Sequence, residues 1–256
     1  MEKEGVKIAE LVSINAGYNG DTVLKNVNFE IFDNDFIGII GPNGGGKTTL
    51  VKVLLGLLKP YTGQVNYYFN IKSSEHGTGY LPQANFVDKK FPISVWDVVL
   101  SGFMNREGIF KRISTKEKKH ANKWMEKTGI SHLKKKPIGE LSGGQMQRVF
   151  LCRSIVSSPK LLILDEPNTY VDNKFESELY ELLRELNKSM AILIVSHDVG
   201  MISTYIKTIA CVNNEVHYHR SNIISDEQLK AYNCPIQLIT HGEVPHTVLG
   251  THQQSH

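Results

Sequence analysis

The stretch GPNGGGKTT, at residues 41–49, constrains the fold of this chain more than any other feature. It matches the pattern GxxxxGK[ST], follows an apolar run at residues 36–40 and precedes leucines and valines at helical spacing in residues 48–58. A strand, a glycine-rich loop and a helix in this order are typical of a phosphate-binding loop. The glycines let consecutive backbone N–H groups turn towards phosphate oxygens, and the helix contributes the positive end of its dipole.

The loop supplies candidate groups for both phosphate and metal binding. We expect Lys47 to reach the β- and γ-phosphates of a nucleotide, and the hydroxyl of Thr48 to ligate Mg²⁺. The alternative is a glycine-rich turn with an incidental lysine, which the strand and helix on either side disfavour. The residues predicted to contact the nucleotide are Gly41, Asn43, Gly44, Gly45, Gly46, Lys47, Thr48 and Thr49.

A second candidate element is the stretch LLILDE at residues 161–166. Its four apolar residues predict a buried strand, and its two acids follow at the C-terminal end, where open α/β sheets bind their ligands. We expect Asp165 to hold Mg²⁺ through water, and Glu166 to polarise the attacking water as general base. An acidic pair at a strand end often only starts a helix, so this interpretation depends on the phosphate loop earlier in the chain.

Strand and helix patterns alternate along most of the sequence. Apolar runs at residues 160–164 and 191–195 flank a helical pattern at residues 174–187, which predicts a parallel sheet covered on both faces. Residues 7–12 alternate as a half-buried strand does, as do residues 26–31. A mainly helical region with lysine-rich faces, from Val95 onward, therefore interrupts an α/β core.

Length, charge and apolar patterning limit the class of protein. The chain has 256 residues, 41% of them hydrophobic, which is enough for a domain with a sub-domain. Its net charge of +3 gives no argument for nucleic acid, and we expect no such partner. No apolar run approaches the roughly 20 residues of a spanning helix, and we see no signal-peptide core, so we expect a cytoplasmic protein. The three cysteines form no CxxC pair, and we expect free thiols.

The segment LSGGQMQR, at residues 141–148, lies just before the acidic strand. Taken alone it predicts a helix cap at Ser142, with bare backbone N–H groups suited to a second phosphate. The whole match resembles the signature motif of the ATP-binding cassette (ABC) ATPases, and the motifs follow the order of that family. The resemblance implies ATP and Mg²⁺ as cofactors. It also implies a head-to-tail pair of chains, in which Ser142, Gly143, Gly144 and Gln145 close on the partner's ATP.

The resemblance implies a fold as well as a ligand. The expected fold is an α/β phosphate-loop NTPase core with an N-terminal antiparallel β sub-domain and an inserted helical sub-domain. We place the ABC ATPase domain at residues 1–225, the helical sub-domain at about residues 86–157 and a C-terminal tail at residues 226–256.

Four further site residues follow from the resemblance. Tyr18 is similar to the aromatic residue that stacks on adenine, although a tyrosine near a strand could equally belong to the core. Gln83 resembles the glutamine that touches Mg²⁺ or water and senses the transmembrane partner. His197 resembles the histidine that contacts the γ-phosphate, whereas a lone histidine at a strand end is more often structural. Asp172 resembles the aspartate of the dimer-contact loop.

Residues 91–100, 168–171 and 241–249 are similar to segments of zinc, manganese and iron importers. The resemblance implies the ATP-hydrolysing subunit of a membrane importer of divalent metal ions, peripheral on the cytoplasmic face of the cell membrane. The implied partners are a second copy of the chain, membrane-spanning permease subunits and an extracytoplasmic metal-binding protein. The alternatives are a soluble single-cassette ATPase, such as an iron–sulfur assembly ATPase, and an exporter module.

Two regions keep alternative interpretations. In the family, a short helix of the membrane subunit docks in a cleft between the glutamine loop and the helical sub-domain. We therefore expect Phe86, Phe91 and Val95 to lie either at the wall of this cleft or in the core of the sub-domain. Six histidines fall in the last forty residues. They could form a regulatory zinc site, or the tail could simply pack on a neighbour.

Overall fold

The computed structural model describes residues 5–70, 77–83, 92–104, 112–167, 173–197, 202–219, 236–240 and 245–249. The chain divides into two compact units. Met1–Tyr68 and Leu193–His256 form the first unit, and Phe69–Ile192 forms the second. The first unit therefore contains the phosphate loop, and the second contains the acidic strand.

The described residues form strands and helices throughout both units. The strands, in chain order, are β1 (Lys7–Tyr18), β2 (Asp21–Phe32), β3 (Phe36–Ile40), β4 (Thr62–Tyr67), β5 (Thr78–Leu81), β6 (Leu161–Asp165), β7 (Ala191–Val195), β8 (Thr208–Asn213), β9 (Glu215–His219), β10 (Ile236–Thr240) and β11 (Pro245–Leu249). The α-helices are α1 (Lys47–Leu54), α2 (Val95–Leu100), α3 (Thr115–Lys127), α4 (Gly143–Ile155) and α5 (Asn173–Leu186). Short 3₁₀ turns lie at Ser101–Phe103, Ser131–Leu133 and Ile138–Glu140.

In the first unit, β2, β1 and β4 form an antiparallel sheet in that order. β1 and β2 continue well past the predicted segments at residues 7–12 and 26–31. Register shifts interrupt their pairing, and Ser13 and Asn26 at these irregularities take φ angles of 49° and 45°. An extra residue of this kind moves the alternation of side chains to the other face. A prediction that relies on strict alternation of apolar and polar residues therefore finds only half of each strand.

The first unit also holds the strand that leads into the phosphate loop. β3 is buried at all five positions, as its apolar sequence predicts. It pairs in parallel with β8, and β9 runs antiparallel to β8. The loop at residues 41–46 thus lies at the C-terminal end of a buried parallel strand, the usual ligand-binding edge of such a sheet.

The first helix, α1, ends earlier than the sequence pattern predicts. Gly56 has a φ of 63°, and its N–H donates to the Val53 carbonyl oxygen at 3.0 Å. The Leu57 N–H donates to the Lys52 carbonyl oxygen at 2.8 Å. These two bonds make a Schellman motif, in which glycine takes the left-handed conformation that stops the helix. The apolar periodicity beyond it is not helical.

In the second unit, β5 and β6 pair in parallel, and helices α2, α3 and α4 share an apolar core. Val95 is fully buried in that core, so the core interpretation holds for this residue and the docking interpretation is wrong. Phe86 and Phe91 lie outside the described residues. The buried members of the core include Val98, Val99, Phe103, Ala121, Met125, Ile130, Leu133, Val149 and Val156.

The predicted fold class is confirmed: the chain combines parallel and antiparallel strands with an antiparallel β sub-domain and a helical region. In the tail, β10 and β11 form an antiparallel hairpin, and the domain limits at residues 1–225 and 226–256 stay a prediction. Cys152 is a buried free thiol, as expected. Cys211 is disulfide-bonded, so the expectation of free thiols is wrong there; composition cannot tell which thiols a fold brings together.

Candidate nucleotide-binding and hydrolysis site

The phosphate loop has the backbone conformation that only glycine adopts readily. Gly41, Gly44 and Gly46 have φ angles of 148°, 77° and 104°. A Cβ atom at Gly41 would lie 2.0 Å from the Val212 carbonyl oxygen of β8, far inside van der Waals contact. Both the φ angle and the contact with β8 therefore require glycine at the start of the loop.

Lys47 turns back into this loop at the start of α1. The side chain is 7% exposed, and its ammonium donates to the carbonyl oxygens of Gly41 at 2.8 Å and Pro42 at 2.9 Å. Within the described part of the chain, no side chain caps the N-terminus of α1, whose N-cap residue is Gly46. A buried cation beside first-turn N–H groups that lack a side-chain cap is suited to bind phosphate.

Tyr18 lies at the end of β1, next to a tight turn. Asn19 and Gly20 have φ angles of 52° and 93°, and Tyr18 pairs with Asp21 across the hairpin. The ring is 39% exposed, which argues against a core role. The Lys52 ammonium of α1 lies 5.2 Å from the ring centroid. A flat base can therefore stack only on the remaining face of the ring.

His197 belongs to the same unit as the phosphate loop. It follows β7 and is partly buried. The N–H of Ser196 donates to the Ile39 carbonyl oxygen of β3 at 3.2 Å. This bond fixes the residue before His197 beside the strand that leads into the loop, and the contact of His197 with a γ-phosphate stays a prediction.

Glu166 and Gln83 come together in the second unit. The Gln83 Nε2 group donates a short hydrogen bond to a carboxylate oxygen of Glu166. Glu166 has a φ of 51°, a conformation that disfavours a residue with a side chain by roughly 1–2 kcal/mol. Such backbone strain is typical of functional positions. The contact brings two residues from distant parts of the sequence to one site.

Asp165, at the end of β6, is 3% exposed. The hydroxyl of Tyr80, on the neighbouring strand β5, forms a hydrogen bond with its carboxylate. Burial, the charge of Asp165 and this hydrogen bond together raise the pKa of Tyr80 to about 12. The phenol therefore stays protonated at neutral pH and orients the carboxylate.

The signature segment begins helix α4, as predicted. The Ser142 hydroxyl accepts the Gln145 N–H at 3.3 Å, and the Gln145 side-chain oxygen accepts the Ser142 N–H at 3.2 Å. This reciprocal capping box occupies both side chains. Gln147, buried further along the helix, donates to the Pro167 carbonyl oxygen at 2.8 Å, which ties α4 to the segment following Glu166.

The sequence profile of the ABC transporter family matches residues 24–169. The match covers more than half of the 256 residues and includes the phosphate loop, the signature segment and the acidic strand. The chain belongs to the ABC transporter family. It is an ATP-binding ATPase of that family, and the predicted resemblance is confirmed.

Two curated ABC relatives span most of the chain. The zinc uptake system ATP-binding protein ZurA of Listeria monocytogenes is 36% identical over 222 residues, covering 84% of this chain and 86% of the relative. The zinc import ATP-binding protein ZnuC of Pasteurella multocida is 39% identical over 212 residues, covering 82% of this chain and 74% of the relative.

Solved ABC structures give the same fold. A chain of a transporter described as being of the metal-chelate type, in an inward-facing conformation, aligns with a TM-score of 0.76 at 26% identity, covering 94% of this chain and 96% of that chain. The ADP conformation of the ATP-binding cassette MJ1267 aligns with a TM-score of 0.71 at 25% identity, covering 88% and 94%. Among the described residues, no helix has both the length and the apolarity to cross a bilayer.

Three residues of this ABC site escaped the sequence analysis. Tyr80 contacts Asp165, Lys52 covers one face of Tyr18, and Gln147 links the signature helix to the hydrolytic strand. Only Gln147 gave a signal, because it is a polar residue within an otherwise apolar helical stripe. The other two contacts join distant segments, and no local pattern predicts them.

Each unit carries oxygen donors of the kind that Mg²⁺ prefers: the hydroxyl of Thr48 in the first unit, and the carboxylate of Asp165 and the amide oxygen of Gln83 in the second. Asp172 lies outside the described residues. In the part of the chain that the structure describes, no group of three or more histidine, cysteine or acidic side chains could hold a metal. Three of the six tail histidines, His241, His252 and His256, lie outside that part, so the regulatory role of the tail is untested.

Proposed function

We propose that this chain is the ATP-hydrolysing subunit of a membrane importer of divalent metal ions: zinc, manganese or iron. The observation that carries the proposal is the similarity, over more than four fifths of the chain, to proteins named for zinc uptake and zinc import. The conformation of the phosphate loop and the Gln83–Glu166 contact support the hydrolytic part of the proposal.

In the proposed mechanism the phosphate loop and Lys47 hold the β- and γ-phosphates of ATP. Thr48, Asp165 and Gln83 are the residues that would hold Mg²⁺, which would neutralise charge on the phosphates. Glu166 accepts a proton from the attacking water, and Gln83 keeps its carboxylate in place. His197 contacts the γ-phosphate, and Tyr18 stacks on adenine with the face that Lys52 leaves open.

Two copies of the chain are proposed to pair head to tail with two ATP molecules at the interface. The N-terminus of α4 presents Ser142, Gly143 and Gly144, and a phosphate at this end meets a positive dipole and exposed N–H groups. Gln145 fixes the turn through the capping box. Asp172 is the proposed contact between the two copies.

The proposed partners are membrane-spanning permease subunits and an extracytoplasmic metal-binding protein. The chain would then be peripheral on the cytoplasmic face of the cell membrane. A soluble iron–sulfur assembly ATPase is the less favoured candidate, because the relatives compared above are named for metal transport.

The test is reconstitution of the chain with its membrane-spanning and metal-binding partners in lipid nanodiscs. We expect Zn²⁺, Mn²⁺ or Fe²⁺, delivered on the binding protein, to stimulate ATP hydrolysis, and Ca²⁺ or the metal-free binding protein to have no effect. A full complex that responds to none of the three ions would refute metal import. Stimulation by a cluster-assembly protein without any membrane subunit would favour the alternative.

A further inference from the structure

Positive charge is concentrated in one short segment of the second unit. Residues 115–136 contain eight lysines and two glutamates, a net charge of +6, whereas the whole chain carries +3. The rest of the chain is therefore net negative. The segment contains α3 and the 3₁₀ turn at Ser131–Leu133. No role described above uses its lysines, which are Lys116, Lys118, Lys119, Lys123, Lys127, Lys134, Lys135 and Lys136.

Four of these lysines form a stripe along α3. They recur every three or four residues, a spacing that places side chains on the same side of a helix. The opposite side of α3 packs into the apolar core through Ala121 and Met125. The stripe therefore faces away from the core, and we call it the basic face. Its members are all exposed: Lys116, Lys119, Lys123 and Lys127.

Few acidic groups of the protein balance this charge. The Lys127 ammonium lies 2.9 Å from a carboxylate oxygen of Glu185 on α5. Among the described residues, no other lysine of the segment forms an ion pair with a carboxylate. Of the two glutamates in the segment, Glu117 is buried in the capping box that starts α3, and Glu126 is exposed on α3. Unbalanced like charges repel one another, and an anionic partner would remove that repulsion.

The residue types of the segment argue against a nucleic acid as this partner. Residues 115–136 contain no arginine, the residue that best binds single phosphates through two parallel hydrogen bonds. Proteins that bind single strands also offer aromatic rings for bases to stack on. The two tryptophans here, Trp96 and Trp124, are only partly exposed. A lysine ammonium lies over each ring, that of Lys134 at 3.7 Å and that of Lys127 at 5.2 Å from the centroid.

The same features suit a surface of anionic lipid headgroups. Lysine is a compact charge on a flexible stem, so a row of lysines can follow a surface whose charges are mobile and not fixed in one geometry. Clusters of about four to eight basic residues on a helix are attracted to the negative cytoplasmic leaflet of membranes. The apolar side of α3 is buried in the core, so the helix has no apolar surface to insert among the lipid chains. Binding would therefore be electrostatic.

We propose that the basic face docks on anionic lipid headgroups at the cytoplasmic surface of the membrane. The inference rests on the proposed function, because that function brings a membrane within reach of the chain. It names the surface of the chain that contacts the bilayer and the charge of the lipids that it selects. The docking would hold the second unit at the bilayer in addition to any contact with the membrane-spanning subunits.

The test is co-sedimentation of the full chain with lipid vesicles. One set of vesicles contains about one third phosphatidylglycerol in phosphatidylcholine, and the other contains phosphatidylcholine alone. The test variant combines Lys116→Gln, Lys119→Gln and Lys123→Gln, which removes three charges from the basic face. The control variant combines Lys25→Gln, Lys59→Gln and Lys160→Gln, which removes three exposed lysines outside the segment. Both variants have the same net charge, so they differ in where the charge is lost.

We expect the unmodified chain to bind the anionic vesicles and not the neutral ones. Each lysine near an anionic surface contributes about a factor of five in affinity, so the test variant should bind about 100-fold more weakly. The control variant should stay within a few-fold of the unmodified chain. Replacing the same three lysines of the basic face with arginine keeps the charge and should retain binding.

Salt provides a second measurement that needs no variant. Raising the salt from about 0.1 M to about 1 M shortens the Debye length from about 10 Å to about 3 Å, which should release the unmodified chain from the anionic vesicles. Glutamine favours helices nearly as well as lysine, so the test variant should fold, and thermal unfolding verifies this. If it does not fold, the three single substitutions decide the question, with an expected loss of about fivefold each.

Three results would overturn the inference: no binding of the unmodified chain to anionic vesicles, equal binding to neutral ones, or equal losses in the test and control variants. Random-sequence duplex DNA is the competing probe. If the chain binds it more tightly than the vesicles at the same salt, and the test variant loses that binding, the basic face is a nucleic-acid site and the inference is wrong. The vesicle assay contains no transporter subunit, so its failure leaves the proposed function intact. Metal-stimulated hydrolysis in nanodiscs tests that function separately.

Discussion

Replacing Tyr80 with phenylalanine removes one hydroxyl and leaves the ring. That hydroxyl forms a hydrogen bond with Asp165, the proposed Mg²⁺ carboxylate, which is 3% exposed at the end of β6. β5 and β6 pair in parallel, with Tyr80 opposite Ile163, so the backbone holds the ring beside the strand that carries Asp165. The substitution therefore changes the orientation of one carboxylate and little else.

The size of the effect follows from the kind of bond. A hydrogen bond to a charged group contributes about 1.5–3 kcal/mol, and each 1.4 kcal/mol corresponds to about a factor of ten in affinity. Removing groups that orient a metal-binding side chain usually costs about 10–100-fold. We therefore expect Tyr80→Phe to raise the Mg²⁺ concentration needed for half-maximal ATPase by about 10–100-fold.

The assay is ATP hydrolysis as a function of free Mg²⁺, with urea unfolding as a check on stability. Tyr67→Phe is the matched control. Burial raises the pKa of Tyr67 to about 12, as in Tyr80, but its hydroxyl donates to the Leu54 carbonyl oxygen at 2.8 Å rather than to a carboxylate. Tyr67→Phe should lower stability by about 1 kcal/mol and leave the Mg²⁺ dependence unchanged.

An unchanged Mg²⁺ dependence in a folded Tyr80→Phe protein would refute the reasoning. It would mean either that Asp165 does not hold the metal or that its orientation does not depend on the phenol. Equal shifts in Tyr80→Phe and Tyr67→Phe would point instead to a general loss of stability.

Three further predictions concern the loop, the base and acid stability. Gly41→Ala should abolish tight ATP binding and destabilise the fold by more than about 1 kcal/mol, whereas Gly44→Ala, where a Cβ meets nothing within 4 Å, should show only backbone strain in calorimetry. Tyr18→Ala should lose about 1–3 kcal/mol of nucleotide affinity in titrations, and Tyr18→Trp should retain it. Hydrogen bonds, first from Lys7, lower the pKa of Glu10 from 4.5 to about 2, so its stabilisation holds above pH 4.5 and is lost towards pH 2. Urea midpoints of Glu10→Gln and the unmodified chain should converge as the pH falls through that range.

The parts of the site that could be predicted from sequence are those whose backbone conformation and hydrogen bonds are set within one short segment. The phosphate loop is such a case, because the φ angles of Gly41, Gly44 and Gly46 are local properties. The capping box of Ser142 and Gln145 is another, since both partners lie within one turn.

The rest depends on contacts between distant segments. The bond between Gln83 and Glu166 joins residues 83 positions apart, and resemblance, not periodicity, indicated Gln83. Tyr80 gave no signal at all, because its role arises from the pairing of β5 with β6. The early end of α1 could have been predicted: Gly56 follows the helix where a Schellman glycine belongs, but the leucines beyond it continued the apolar spacing.

The most direct test of the account is ATP-dependent uptake of radioactive zinc by proteoliposomes that contain the complete transporter. The unmodified complex should accumulate zinc only with ATP and Mg²⁺ on the side of this chain. Glu166→Gln should bind ATP with unchanged affinity, hold two chains together in sedimentation, and lower both hydrolysis and uptake by about 10²–10⁴-fold. Zinc uptake by the Glu166→Gln complex at the unmodified rate, or ATP hydrolysis that no transported metal ion affects, would contradict the account.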